Sequence, residues 1–280
     1  MASRRKFIQQ SMAGIGGAAV LPLLGRAGST NSQVKNESAL QLGMAGYTFA
    51  KYDVEKSIAI MNRVNVKNLS LKDFHLPLNS SPEKIQSVLA QFTAGGINIY
   101  AVGVIYMKTK EAVDEAFAYA KNVGVSLIVG VPNPELLDYT EEKVKSTNIR
   151  IAIHNHGPED KLYPSPKNVY DLIKDRDPRV GLCIDIGHST RAGQDPAKAV
   201  IEYSKRVFDL HIKDVSAAQK DGKAMEVGRG VIDFAALVKA LNKIKFSGYC
   251  SFEFEKDMSD SLPGIAESEG YFRGVIKTIG

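Results

Sequence analysis

Every histidine of this 280-residue chain stands at or just past the end of a short apolar run: His75, His154 with His156, His188, and His211. Acids fall in the same places. Asp185 lies in Cys183-Ile184-Asp185-Ile186-Gly187-His188, Asp214 in Asp209-Leu210-His211-Ile212-Lys213-Asp214, and Glu253 and Glu255 in Phe252-Glu253-Phe254-Glu255. A charge inside an apolar strand is costly unless it is paired or bound to metal. If these runs are strands, alternation puts His154 with His156, His211 with Lys213, and Glu253 with Glu255 on shared faces. His154, Asp185, His211 and Glu253 then offer nitrogen and oxygen donors from four runs. That set suits one divalent ion such as Zn²⁺, Mn²⁺, Co²⁺ or Mg²⁺. Lys213 reads as an ion-pair partner of Asp214 or Glu255, and His75 as a wall of the site or a structural contact. Gly228-Arg229-Gly230, preceded by Glu226, reads either as a turn that holds a ligand anion or hydroxyl, or as a plain tight turn.

The elements that must position these residues alternate. Strands are expected over 41–45, 66–71, 97–104, 125–131, 149–154, 180–186, 207–213 and 249–254. Helices are expected over 82–94, 110–122, 166–174, 196–205, 234–244 and 264–276, with a weaker one over 134–145. Several helices open on a cap followed by proline, as at Ser81-Pro82 and Asp195-Pro196. Eight strand–helix units in about 240 residues match a single (β/α)8 barrel, whose chemistry sits at the C-terminal ends of the strands. An open doubly wound sheet is the competing arrangement, but no GxGxxG follows the first strand. Cys183 shares a face with Asp185, and Cys250 points away from Glu253. Both read as apolar fillers, and two cysteines make no disulfide scaffold.

The first 27 residues are expected to be a cleavable leader. They carry Arg4, Arg5, Lys6 and Arg26 and no acid, then an apolar run and small residues. Arg4-Arg5 ahead of Phe7-Ile8 resembles a twin-arginine signal, which implies export, in all expectation to the periplasm. Residues 28–40 read as a linker and 41–280 as the catalytic barrel. Without the leader the net charge falls from +5 to +1. A basic surface for nucleic acid is therefore not expected, nor is a stable membrane anchor. Self-association is left open.

Ile153-His154-Asn155-His156-Gly157, Asp185-Ile186-Gly187-His188, His211-Ile212-Lys213-Asp214, Gly228-Arg229-Gly230 and Ser251-Phe252-Glu253-Phe254-Glu255 together resemble the xylose-isomerase-like sugar isomerase/epimerase superfamily. The resemblance covers essentially everything after residue 40. It implies a TIM barrel with one divalent metal and a small sugar substrate. Asp185, His211 and Glu253 match three of the family's ligands, and His188 resembles its substrate-contacting histidine. The family's fourth ligand is commonly a glutamate in Glu-Asn-His, where this chain has His154-Asn155-His156. In the epimerases that glutamate is also one of two proton-handling carboxylates, so two-face epimerisation is not expected here. The resemblance implies enolisation of a keto or aldo sugar by one base, with Glu253, Glu255 and His156 as candidates and Lys213 as electrostatic partner. His75, His188, Glu226 and Arg229 are the expected substrate contacts. The primary expectation is an isomerase or epimerase; the alternative is a lyase or hydratase acting on 3-keto-glycosides. A non-catalytic sugar-binding barrel and an abasic-site endonuclease are the remaining readings, the latter opposed by the small mature charge and the few histidines.

Overall fold

The computed structural model describes residues 40–279. The leader, and the linker up to residue 39, lie outside the described residues. Eight parallel strands form a closed barrel: β1 (Gln41–Ala45), β2 (Asn68–Leu71), β3 (Asn98–Met107), β4 (Leu127–Pro132), β5 (Arg150–His154), β6 (Val180–Asp185), β7 (Val207–Ile212) and β8 (Tyr249–Phe252). Each strand pairs in parallel with its sequence neighbours, and β1 closes on β8 through Gln41–Tyr249 to Met44–Phe252. Strands buried on both faces explain the continuous apolar runs, since a barrel packs side chains inward and helices outward. No described helix is long and apolar enough to cross a membrane.

The helices begin where the caps stand. The Ser81 side chain accepts the Lys84 N–H ahead of Pro82–Ala94. Asp195 accepts the N–H groups of Ala197 and Lys198 ahead of Pro196–Glu202. The weaker helix is real, as a 3-10 turn Pro134–Leu136 running into Leu137–Thr147.

Five strand ends differ from expectation: β3 and β4 run on to Met107 and Pro132, and three others stop short beside the site. The strand expected over 180–186 stops at Asp185, because the Asp185 side chain accepts the His188 N–H and caps a short helix, Ile186–Arg191. The strand expected over 207–213 stops at Ile212, and that over 249–254 at Phe252. His156, Lys213, Glu253 and Glu255 therefore lie beyond their strands. The expected pairs His154 with His156, His211 with Lys213, and Glu253 with Glu255 do converge on one centre, but the second member of each lies past the end of its strand. A two-stranded ribbon, Asp214–Val215 with Ala224–Met225, follows β7 and was not visible in the sequence pattern.

Candidate metal centre

Register brings the donors together. Asp185 at the end of β6 pairs with His211 of β7, and His211 pairs with Ser251 of β8, two residues before Glu253. His154, the last residue of β5, lies beside Cys183. One donor atom from each of His154, Asp185, His211 and Glu253 lies within 4.8 Å of the other three, and all four side chains are buried. His154 Nε2 is 2.9 Å from His211 Nδ1, and His211 Nδ1 is 3.2 Å from Glu253 Oε2. Asp185 Oδ2 makes no hydrogen bond; its nearest cation is Lys213 Nζ, 3.1 Å away.

These residues fit a divalent ion. Two imidazole nitrogens on one tetrahedral zinc stand about 3.3 Å apart, close to the His154–His211 separation. Burial, then repulsion by His211, lowers His154 to about 3, leaving its ring neutral with a lone pair to donate. Burial would raise both carboxylates, but charge outweighs it. His188 and Lys213 hold Asp185 below the usual range, and Lys213 with His211 does the same for Glu253. Burial disfavours a charge on His211, but Cys183 and Glu253 more than restore it, so His211 holds a proton beside the neutral His154 and the two carboxylates, and a metal ion would bind in exchange for that proton.

Lys213 joins this quartet to Glu255. Its buried ammonium lies 2.9 Å from Glu253 Oε2 and 2.9 Å from Glu255 Oε2. Burial disfavours that charge, and Asp185, Glu253 and Glu255 more than restore it, so Lys213 stays protonated. The stem crosses Gly187, where a Cβ would come 2.3 Å from Lys213 Cγ, so any larger residue there would have to push the lysine stem aside. Glu255 is the partly exposed member of the group, and burial raises its pKa, against the pull of Lys213. A carboxylate that is reachable and less acidic than usual suits a general base.

Two further histidines face the centre. The His156 ring lies edge-on to His154 at 4.5 Å between centroids, and His188 Nε2 is 3.9 Å from Asp185 Oδ2. Burial lowers both, His188 to about 4. The other expected contacts sit elsewhere. His75 is buried, its Nε2 within 3.0 Å of the Tyr52 carbonyl and 3.2 Å of Ser57 Oγ, tying a helix not expected from the sequence, Val54–Arg63, to the β2 loop. Glu226 holds Lys256 at 2.8 Å, and the exposed Arg229 pairs with Glu267. Asp214, acidic and close behind a strand like the ligands, accepts four backbone N–H groups: Val215, Gly228, Gly230 and Ile232. Gly230 is packed against it, since a Cβ there would lie 2.3 Å from Asp214 Oδ1.

Three contributors escaped the sequence reading as positioning groups. The Asn155 amide pairs with the backbone of Asp185, accepting its N–H at 3.0 Å and donating to its carbonyl at 3.3 Å. Tyr106, an aromatic inside an apolar run, places its hydroxyl 2.8 Å from His156 Nε2. Arg191 stands 3.3 Å from His188 Nδ1, donates to the Lys220 carbonyl and pairs with Glu159. Only Asn155, inside the His-Asn-His motif, carried a sequence signal. Cys183 and Cys250 are buried free thiols, and burial pushes Cys183 up to about 12.

A closed parallel barrel with a histidine–carboxylate cluster at its C-terminal mouth defines a class of metal-ready TIM barrels. The profile described as "Xylose isomerase-like TIM barrel" matches residues 106–274, more than half of the chain, and the chain belongs to that family. Rhizopine catabolism protein MocC of Rhizobium meliloti is 27% identical over 137 residues, 44% of this chain and 42% of MocC. An inosose dehydratase of Clostridium beijerinckii is 26% identical over 99 residues, 30% of this chain and 33% of that enzyme. The alignments thus span less than half of these curated relatives. Among solved structures, the IOLI protein with a bound zinc atom superposes with a TM-score of 0.71 at 17% identity, over 86% of this chain and 99% of that one. L-ribulose 3-epimerase gives 0.68 at 13%, over 86% and 95%. At such identities the likeness shows the fold.

Proposed function

We propose that the protein removes a proton α to the carbonyl of a keto sugar or keto polyol and then eliminates a β-oxygen substituent. The observation that carries this is Glu255: the one carboxylate of the cluster that is both partly exposed and less acidic than usual, held by Lys213 beside the buried quartet. A divalent ion held by His154, Asp185, His211 and Glu253 would supply Lewis-acid stabilisation of the charge that develops on the carbonyl oxygen.

The residues act as follows. Glu255 takes the α-proton as the C–H bond breaks, and the electron pair moves onto the carbonyl as an enolate. Lys213 keeps Glu255 aimed and offsets the added negative charge. When the carbonyl re-forms, the electron pair makes a C=C bond and the β C–O bond breaks. The departing oxygen takes the proton that Glu255 has just received, which returns Glu255 to its carboxylate form and leaves the elimination with no net proton uptake. Elimination is favoured over two-face epimerisation because His154 stands where the resemblance leads one to expect a second carboxylate. Likeness to inosose dehydratases supports the same choice.

The test is deuterium uptake by NMR, with ultraviolet detection of the enone, for metal-loaded protein and a panel of 2-keto sugars, 3-keto glycosides and an inosose. Exchange on one face with enone formation is expected. Glu255→Gln should keep its metal and lose about 100-fold or more in exchange. Wild-type exchange rates in that variant, or efficient epimerisation, would refute the assignment; return of the proton to the neighbouring carbon would make the reaction an isomerisation. The leader is read in the same spirit as an export signal. Replacing Arg4 and Arg5 together by Lys should leave the protein in the cytoplasm, and unchanged export would remove the twin-arginine reading.

A further inference from the structure

At the end of the barrel opposite the metal quartet, where the strands begin, the surface sinks into a depression of about 430 Å³. That volume is within the roughly 300–1,000 Å³ of small-molecule sites. Arg150 opens β5 and Tyr249 opens β8, Phe208 is the second residue of β7 and Tyr100 the third of β3, and all four line it. Tyr100 and Tyr249 stack with 3.8 Å between ring centroids, 25° from parallel. The Tyr100 hydroxyl donates to Asp209 Oδ2 at 2.8 Å and meets Ser251 Oγ at 2.5 Å. Asp209 and Ser251 are buried, and each stands two residues before a member of the quartet, His211 and Glu253. Packed side chains thus close the floor, and a molecule held here does not reach the mouth.

The same face satisfies its other arginines internally. Arg176 pairs with Asp138 and Glu141, and Arg179 with Asp177. Arg206 donates to the carbonyls of Lys174, Arg176, Asp177 and Val180. The two cations that line the depression are treated differently. Among the described residues the Arg150 guanidinium makes no ion pair and no hydrogen bond, and lies over the Phe208 ring, 5.2 Å from its centre. Lys205 likewise has no carboxylate partner among the described residues. No carboxylate lines this depression, whereas two others of similar size hold Asp73 with Glu115 and Glu159 with Asp221. Asp209, behind Tyr100, has one oxygen taken by the Tyr100 hydroxyl and the other by the Leu210 N–H. Ser126, Ser204 and Ser247 add hydroxyls to the lining. A free guanidinium fork holds two oxygens of a carboxylate or phosphate, an ammonium adds a point charge, and serine hydroxyls donate to the oxygens that remain. The stacked tyrosines offer a ring surface beside them.

We infer that the N-terminal face of the barrel carries a second, non-catalytic ligand site for a small ring compound bearing a carboxylate or a phosphate, with Arg150 and Lys205 on the oxyanion and Tyr100 and Tyr249 against the ring. The site stands independently of the reaction proposed at the other end.

The probes are benzoate and phenyl phosphate, with benzamide and inorganic phosphate for comparison. Each is titrated at low salt into the full-length, metal-loaded protein by calorimetry, and placed by NMR of tyrosine-labelled protein. At least one ring anion should bind and shift a Tyr100 or Tyr249 resonance; the tighter of the two identifies the oxyanion. It should bind roughly tenfold or more tightly than benzamide and than inorganic phosphate, and weaken as salt rises. Arg150→Met and Lys205→Met alter exposed side chains and should each weaken it by about fivefold or more. Arg150→Lys, which keeps the charge and loses the fork, should recover part of that loss. The site is overturned if neither ring anion binds, if benzamide binds as well, or if inorganic phosphate matches phenyl phosphate, which would leave only a cationic patch. Binding that survives both methionine variants but disappears in Asp185→Asn would place the anion on the metal centre and equally overturn it.

Discussion

Replacing Lys213 by methionine removes the ammonium that stands within 3.1 Å of Asp185, Glu253 and Glu255 and leaves the length of the side chain nearly unchanged. Asp185 and Glu253 are buried, so their shared negative charge then has no water to relax into. Breaking a buried pair by removing one partner costs about 3–5 kcal/mol. The Glu255 contact adds little, because that side chain is 31% exposed and screened. At about 2–4 °C per kcal/mol for a domain of this size, the metal-stripped variant should melt roughly 6–20 °C below the metal-stripped wild type. A divalent ion supplies the missing positive charge. Its stabilisation follows RT ln(1 + [L]/Kd), about 2.7 kcal/mol at a hundredfold excess over Kd. The metal-induced rise in Tm should therefore be larger in Lys213→Met than in the wild type, where the ion competes with the ammonium for the same carboxylates. Differential scanning calorimetry in EDTA and in excess Zn²⁺ or Mn²⁺, with metal content by mass spectrometry, makes the measurement. Equal Tm values for the two stripped proteins, or equal metal-induced shifts, would refute this account of the centre.

Asp185→Asn should lose most of its bound metal while keeping its helical circular dichroism, since an amide oxygen still caps Ile186–Arg191 but no longer offers a charged donor; full metal content would remove Asp185 from the ligand set. His154→Glu should retain metal and slow α-proton exchange by roughly ten- to a thousandfold, ~1.4–4 kcal/mol, by adding a negative charge; a faster variant would count against the role given to His154. His75 supplies a stability test away from the centre. Burial lowers its folded pKa below that of the unfolded chain, so the unfolded chain binds the proton first. Its contribution is therefore present above pH 6.5 and lost as pH falls from there toward the folded value. Urea unfolding between pH 7.5 and 5 should show this loss on top of that from His154, His156 and His188, which burial also lowers, and His75→Gln should reduce the slope by at most about 1.4 kcal/mol per pH unit.

The barrel was legible because parallel strands buried on both faces leave long apolar runs, and because Ser81, Asp195 and their following prolines mark helix starts. Asp185, His211 and Glu253 were legible because a charge in or beside such a run requires an explanation. The same signal did not separate Asp214 from the ligands. Both are acids behind apolar residues, and only the four N–H groups folded over Asp214 reveal a different use. His156 and Glu255 were grouped with the ligands by alternation, which does not operate beyond His154 and Phe252; the Tyr106 hydroxyl on His156 and the Lys213 ammonium on Glu255 hold them at the centre instead. Tyr106 and Arg191 gave no signal. Their contacts, His156 and His188, are remote or ambiguous in sequence, and an aromatic in a strand reads as core.

Asp214 also bears on what the barrel has stopped being able to hold. In many TIM barrels the loops after the seventh and eighth strands cradle a phosphate with converging backbone N–H groups. Here the loop after β7 folds the Gly228 and Gly230 N–H groups onto the chain's own carboxylate, at 3.0 and 2.8 Å. The nest is self-liganded. An incoming phosphate would have to displace a covalently tethered anion at high effective concentration and strip the buried Asp214 Oδ2 of both its backbone donors. The loop thereby gains a fixed shape, and its backbone N–H groups are already spent on the chain's own carboxylate.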